Sequence, residues 1–339
     1  MSATIRVVAK LAGCSIKTVS RVVNNEPNVS VSTRQRVLDA IRNTGYVPNI
    51  AARRLVNQKS YSLCVIMYPG FYNSSPTFLS RLLDLGYEEN YEILIQNYYP
   101  NRPKSQQRVV ELVNQRRFDG FISTPPCDSD GFLIDFLSTY KIPVVQVNPL
   151  INNQDQMYVS GDDVNGAYQV TKYLLSLGHT KIALFAGPRN LRSSQDRFDG
   201  FKTAMDENKI ILNKEYIQDT EYTFDGGSTA IRILMSQELP PTAIFAGHDE
   251  AALGALFAAR EMDIHVPGQL SIAGFEDLPM ASQVWPRITT FHQPADDLLY
   301  EATRLLISSL KNSPSMAKQI TLPGKLVERN STSKINSNS

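Results

Sequence analysis

Residues 4–24 read TIRVVAKLAGCSIKTVSRVVN. Ile5, Val8, Ala9 and Ala12 recur at helical spacing, which predicts a short amphipathic helix that ends where Gly13 can take a left-handed backbone. Ser15 then suits the N-cap of a second helix running through Val23 or Asn24. Val19, Val22 and Val23 fall on its inner side, and Ile16, Lys17, Ser20, Arg21 and Asn24 share the outer one. Two short helices joined by a tight glycine turn form a helix-turn-helix. The second helix shows cations and hydroxyls to the outside. Lys17 and Arg21 are i,i+4 neighbours, a like-charge pair that costs helix stability unless phosphates or guanine edges lie opposite. Hydroxyls such as those of Ser15, Thr18 and Ser20 suit phosphate oxygens, contacts that set register without reading bases.

The next segment, SVSTRQRVLDAIRNTG (residues 30–45), predicts a third helix with Ser30 as N-cap, Gly45 as its end, and Val37, Leu38 and Ile41 as its apolar face. Pro48 then precedes a short helical segment at 49–56 that carries Arg53 and Arg54 beside Leu55. A leucine with no helical partner is either a wedge for a minor-groove base step or a linker residue that docks on the rest of the chain. Charge separates this head from the remainder of the chain. Residues 1–60 hold ten Lys and Arg against only Glu26 and Asp39, whereas residues 61–339 hold 24 against 31. A cationic head on a mildly acidic body is the footprint of a module that neutralises phosphates.

The sixty residues together resemble the headpiece and hinge of the lactose-repressor (LacI/GalR) family of bacterial transcription regulators. The resemblance implies that Ile16 and Lys17 are the principal base-reading positions, helped by Ser20, Arg21 and Asn24. It places Ser15, Thr18, Asn28 and Tyr46 on the DNA backbone, adds Ile5, Asn49 and Ala52 to the same surface, and makes Leu55 the hinge-helix wedge. Val7 departs from the family pattern, which usually has an Asp there. A first-turn acid favours the helix dipole, so the free headpiece loses a little stability.

From Tyr61 the texture changes. YSLCVIMY, YEILIQNY, DGFISTP, IPVVQVNP, KIALFAG, TAIFAG and LSIAGF are short apolar runs separated by helical patterns such as QQRVVELVNQRR and GAYQVTKYLLSLGH. That alternation predicts doubly wound parallel sheets covered by helices, which bind ligands at the carboxyl edges of their strands. No G-x-G-x-x-G, Walker P-loop or G-x-S-x-G occurs. The four histidines have no metal-ligand spacing, and His179, just past a helix pattern, reads as a cap. Cys14, Cys64 and Cys127 are scattered, which argues against a disulfide framework and a zinc site. The 339 residues are 42% hydrophobic and 20% charged, and no apolar run approaches the ~18 residues of a membrane span. A cytoplasmic protein with no cofactor and no membrane partner is expected.

The body is similar to the type I periplasmic-binding-protein fold that the same family attaches to its headpiece. The resemblance implies a headpiece at 1–46, a hinge at 47–60 and an effector and dimerisation domain at 61–330. Within the latter, one subdomain spans about 61–160 plus 294–320 and the other about 163–291 plus 323–330. Three crossovers join them near Ser160–Asp163, Phe291–Pro294 and Ile320–Pro323. By the same resemblance the cleft is lined by Tyr72, Phe78, Asn148, Ser193, Arg197, Tyr222, His248, Asp249, Glu276 and Gln293. Carboxylate, guanidinium and amide groups suit vicinal hydroxyls and aromatic faces suit a sugar ring, while nucleosides and purines fit nearly as well. Arg197 could instead pin its own loop through Asp196 or Asp199. Glu276 and Asn148 both stand where the family more often has Asp.

These features imply an effector-responsive repressor whose partners are a near-palindromic double-stranded operator, a carbohydrate effector and a second copy of the chain. The tail NSTSKINSNS (residues 330–339) reads as polar and disordered, with no leucine heptad to make a tetramer. A sugar-binding transport component would use the body alone, and the cationic head stands against it. An enzyme would need a nucleophile or acid/base constellation that the sequence does not display.

Overall fold

The computed structural model describes residues 4–23, 27–46, 59–69, 78–151, 155–311 and 319–335. Two units separate at Ser60. In the first, α1 (Ile5–Ala12), α2 (Ile16–Val23) and α3 (Val31–Thr44) surround a small core of Val8, Ala9, Ala12, Val19, Val22, Val37 and Ala40. Local chemistry sets the boundaries. Gly13 ends α1 at φ 62°, Ser15 Oγ accepts from the Thr18 N–H at 3.1 Å to start α2, and Ser30 Oγ accepts from the Thr33 N–H at 3.3 Å to start α3. The expected face of α3 needs one correction, because Leu38 is 41% exposed. The helical stripe runs Val37, Ala40, Ile41, and a residue one position along from Val37 is rotated about 100° away from it. The hinge segment, with Asn49, Ala52 and Leu55, lies outside the described residues, as does Asn24.

The second unit contains two six-stranded sheets. Its elements in order are β1 (Ser62–Met67), α4 (Phe78–Glu89), β2 (Glu92–Asn97), α5 (Pro103–Asn114), β3 (Gly120–Ser123), α6 (Phe132–Thr139), β4 (Val144–Val147) and β5 (Met157–Gly161). Then come α7 (Asp163–Ser176), β6 (Ile182–Phe185), α8 (Arg192–Glu207), β7 (Ile217–Gln218), α9 (Phe224–Met235), β8 (Ala243–Ala246) and α10 (Asp249–Glu261). The last are β9 (Ser271–Glu276), α11 (Pro279–Gln283), β10 (Thr289–His292), α12 (Ala295–Leu310), β11 (Gln319–Leu322) and β12 (Lys325–Val327). The first sheet, β11-β5-β4-β3-β1-β2, is wholly parallel; the second, β12-β10-β9-β8-β6-β7, is parallel except for β12, which runs antiparallel to β10. Both are covered on both faces, which is why β1, β3, β6 and β8 read as unbroken apolar runs.

The chain passes between the sheets three times, after β5, after β10 and after β11. All three passages leave the carboxyl ends of strands, so the edges at which α/β sheets bind ligands meet at these crossovers. In the second sheet the covering helices lie unusually close. A Cβ on Gly254 of α10 would stand 1.9 Å from the Phe224 carbonyl oxygen of α9, and one on Gly227 of α9 would stand 1.9 Å from the Ala251 carbonyl oxygen of α10. Gly254→Ala should therefore cost about 1–3 kcal/mol through forced helix separation, despite its better helix propensity. Denaturant unfolding measures this, and an unchanged midpoint would show that the two helices part freely.

The expected disordered tail is corrected in part. Residues 331–335 lie along the second sheet: Ile272 N–H donates to Ser331 O (2.8 Å), Ser333 N–H to Ser271 Oγ (3.1 Å) and Ile335 N–H to Leu177 O (3.0 Å). Composition misled because short hydroxyl side chains hold the segment by hydrogen bonds instead of apolar contact; Ser331 is fully buried. His179 belongs to the same network: its backbone N–H caps α7 as expected, donating to the Leu174 carbonyl at 3.3 Å after the left-handed Gly178, while its side chain serves the tail. Its Nδ1 faces Thr242 Oγ1 at 3.0 Å and its Nε2 faces Ser333 O at 3.0 Å, and burial pulls its pKa below the usual value.

Candidate DNA interface and effector cleft

On α2, Ile16 is 46% exposed and Lys17 is exposed beside it, so the two positions expected to read bases are on the surface. Ser15 Oγ and Thr18 Oγ1 lie 2.9 Å apart and bond each other, leaving lone pairs and a rotatable hydrogen for a further partner. Ser20 and Arg21 are half-buried on the flank, and Asn28 is exposed in the following turn. Ile5 and Tyr46 are half-buried and pack against the headpiece core, and burial pushes the Tyr46 pKa up. The first turn of α1 has no acid, and Val7 is 44% exposed there.

In the body, Arg197, Tyr222, His248 and Glu276 come together from four elements. Arg197 rises from α8 and is only 2% exposed. Its Nε donates to Asp163 Oδ1 at 2.7 Å, Nη2 to Glu276 Oε1 at 3.1 Å, and Nη1 to the Gly247 carbonyl; the guanidinium lies 4.1 Å from the centre of the Phe275 ring. Burial opposes its charge, the Asp163 and Glu276 carboxylates outweigh that, and its pKa rises. The alternative reading of Arg197 as a local loop pin through Asp196 or Asp199 does not apply, because its guanidinium nitrogens go to Asp163, Gly247 and Glu276, and Asp196 pairs with Arg192. Arg197 is the support beneath a surface whose outer members are Glu276, His248 and Tyr222.

Glu276 ends β9 with φ 106°, an unusual backbone for a side-chain-bearing residue. Burial pushes its carboxyl up, His248 and Arg197 outweigh that, and its pKa is held at about 2. His248 Nε2 is 3.4 Å from Glu276 Oε2, while its Nδ1 accepts from the Glu250 N–H at 3.2 Å and so caps α10. Burial disfavours the charged ring, the Glu276 carboxylate outweighs it, and the pKa lies above the usual value. The cap bond exists only for the neutral ring. Tyr222 stacks on His248 (centroids 5.4 Å apart, planes 16°), donates its hydroxyl to Ala186 O at 3.1 Å, and accepts from Ser194 at 3.2 Å.

The other expected cleft residues are placed differently. Asp249 is fully buried, with its carboxylate oxygens taken by the Leu278 N–H (2.7 Å) and the Thr290 hydroxyl (2.6 Å), so it stands behind the cleft. Gln293, 5% exposed, spends its amide on Asp163 Oδ2 at 2.9 Å, a clip between the first and second crossovers. Asn148 Oδ1 accepts from the Gly161 N–H at 2.9 Å and fastens the ends of β4 and β5. Ser193 is half-buried, while its neighbour Ser194 makes the bond to Tyr222. Tyr72 and the side chain of Phe78 lie outside the described residues. Sequence reading missed Asp163 and Ser194. Asp162 already caps α7, accepting from the Asn165 N–H, so a second acid directly after it had no local task, and that was the available signal.

Comparison with known proteins agrees with both halves. Residues 4–49 match the pattern described as bacterial regulatory proteins, lacI family, and residues 171–332 match the periplasmic binding protein-like domain. The chain is 32% identical to the HTH-type transcriptional regulator DegA of Bacillus subtilis (strain 168), across 99% of this chain and 100% of that one. It is 31% identical to catabolite control protein A of Priestia megaterium, across 98% and 100%. Among solved structures, the lac repressor dimer bound to operator and the anti-inducer ONPF matches with a TM-score of 0.78 at 24% identity, covering 98% of this chain and 100% of that one, a likeness of fold. No helix among the described residues is long and apolar enough to cross a membrane. The chain is a DNA-binding transcription regulator that belongs to the lacI family of bacterial regulatory proteins.

Proposed function

We propose that the chain is a repressor that grips a near-palindromic operator as a homodimer and releases or tightens it when a sugar or sugar derivative enters the cleft beside Tyr222, His248 and Glu276. The observation that carries this reading is the position of Glu276. Its carboxylate is 18% exposed at the carboxyl edge of the second sheet, and Arg197 links it directly to Asp163, which Gln293 clips at the crossovers. A carboxylate beside an aromatic face binds vicinal hydroxyls and one side of a pyranose ring. A ligand pulling on Glu276 then acts on the parts that set the angle between the sheets. The response follows from linkage, and a coupling of ~1–3 kcal/mol between effector and DNA is the usual range.

The test is a thermal-shift screen of the full chain against D-glucose, D-galactose, D-ribose and cellobiose, with adenosine, guanosine and hypoxanthine as the contrasting set. A rise in melting temperature with a sugar is expected, by mass action on the folded state. The stacked Tyr222–His248 pair also offers a flat face to a base, so a rise with the second set alone would replace the sugar by a nucleoside or purine. DNA of the operator type, selected from a random pool, then gives the sign of regulation. On that DNA, Lys17→Ala should weaken binding by about 1–3 kcal/mol and relax preference at the bases it faces. Equal loss on unrelated DNA, read by fluorescence anisotropy, would make Lys17 a phosphate contact.

A further inference from the structure

We infer that Arg329, near the C-terminal end of the described chain, is a positioning residue for effector binding: through Asp277 it holds the backbone turn that presents Glu276 to the cleft. Glu276 and Asp277 are consecutive side-chain-bearing residues with positive φ, 106° and 62°. Such a pair keeps its conformation only when its surroundings over-determine it, and here every residue of the turn is tied to another part of the chain. Glu276 is held by Arg197 of α8 and by His248 at the N-cap of α10. The Leu278 N–H is held by Asp249 of α10 at 2.7 Å. Asp277, between them, has one carboxylate oxygen on Arg329 Nη2 and the other 3.1 Å from His292 Nδ1.

Arg329 is itself fixed. Its Nη1 donates to the Ile288 carbonyl at 2.8 Å and its backbone N–H to Thr289 Oγ1 at 3.0 Å, so the guanidinium is docked on the strand leading into the second crossover. The connections close on themselves. Arg197 joins Glu276 to Asp163, Asp163 takes the amide of Gln293, and Gln293 follows His292, which returns to Asp277 beside Glu276. One side of this ring lies at the cleft and the other consists of the first two crossovers. Arg329 braces the ring from the segment just beyond the third crossover, through bonds to Asp277, Ile288 and Thr289, so that among the described residues it reaches Glu276 only through Asp277. Loss of Arg329 frees Asp277, the turn relaxes, and the Glu276 carboxylate is no longer held at one angle. The effector then meets a carboxylate it must order at its own cost.

This inference rests on the reading of the cleft as an effector site, so its test has one arm without a ligand. Hydrogen–deuterium exchange on the full chain, in Arg329→Met and Arg329→Lys, follows the amides of residues 276–278, with those of β8 (Ala243–Ala246) as the control. Roughly tenfold faster exchange at 276–278 in Arg329→Met is expected, with Arg329→Lys between it and the natural chain and β8 unchanged. Unaltered exchange at 276–278 would overturn the inference. Should Arg329→Met fail to fold, Asp277→Asn, which keeps an oxygen for the guanidinium but lowers its attraction, takes its place with the same expectation. In the second arm, whichever of the four sugars raises the melting temperature of the natural chain should bind Arg329→Met about tenfold more weakly at a temperature well below unfolding. Arg329→Lys should recover part of that affinity. Unchanged affinity despite lost protection would make the clamp a purely structural tie and overturn its positioning role. If no sugar acts on the natural chain, the sugar reading fails while the exchange arm still decides the clamp.

Discussion

Arg197→Ala should lower the stability of the body by about 3–5 kcal/mol, the penalty seen when one partner of a buried ion pair is removed and the other is stranded. Asp163 and Arg197 side chains are 3% and 2% exposed, so the Asp163 carboxylate has no water to fall back on and would keep only the Gln293 amide. Glu276 would retain His248 alone, and the Gly247 carbonyl would lose its donor. Calorimetry should show a melting temperature lower by about 10 °C for a unit of this size. The chemistry of the loss is separable from the cavity. Arg197→Met fills most of the volume and still strands both carboxylates, so it should be nearly as damaging; adding Asp163→Asn should recover part of the stability, because an amide tolerates burial without a cation. A single Arg197→Met as stable as the natural chain would show that the carboxylates do not depend on it. Operator binding by whatever remains folded should persist, because the headpiece is a separate unit with its own core. The effector response should not.

The sequence pattern displayed the headpiece almost completely, since glycine ends and serine caps are local signals that act through neighbouring atoms. All seven apolar runs in the body are strands; six lie buried on both faces, which leaves no polar side to blur the pattern, while the seventh, edge strand β2, has exposed residues. Among the strands that sequence reading did not pick out, β5, β10, β11 and β12 are short and carry Ser, Thr, Gln, Lys or His; they lie at the crossovers, where pairing to a neighbour, not hydrophobicity, makes a strand. The cleft shows the same division. Tyr222, His248 and Glu276 were named through the family resemblance, and the structure gathers them. Asp249 and Gln293 carry equally suitable side chains, yet they point into the supporting layer, a distinction that depends on partners 29 and 130 residues away. No local pattern encodes those distances.

Asp249→Asn should remove a pH dependence of stability that the natural chain carries between about pH 4 and pH 7. Burial pushes the Asp249 carboxyl up to about 7 in the folded state, against roughly 3.9 for an unperturbed Asp. Between those values the folded chain holds a proton that the unfolded chain has released, so rising pH favours unfolding, and the stability lost reaches about 4 kcal/mol by pH 7 before levelling off. His248 works in the same direction at the upper end: with its folded pKa raised, its contribution is complete below about 6.5 and is lost as pH climbs through the folded value. Glu276 works the other way, but elsewhere. Held at about 2, its contribution is complete above roughly 4.3 and disappears only as pH falls toward 2. The window between pH 4.3 and 6.5 therefore belongs chiefly to Asp249 among these three groups. An asparagine can accept from the Leu278 N–H and donate to Thr290 Oγ1, so it replaces both contacts without a charge. Melting temperatures of the two chains should nearly coincide at pH 4.5 and diverge as pH rises, with Asp249→Asn the more stable at pH 8. A constant difference across that range would mean that Asp249 is ionised throughout, and that the hydroxyl and amide donors around it suffice to hold a buried charge.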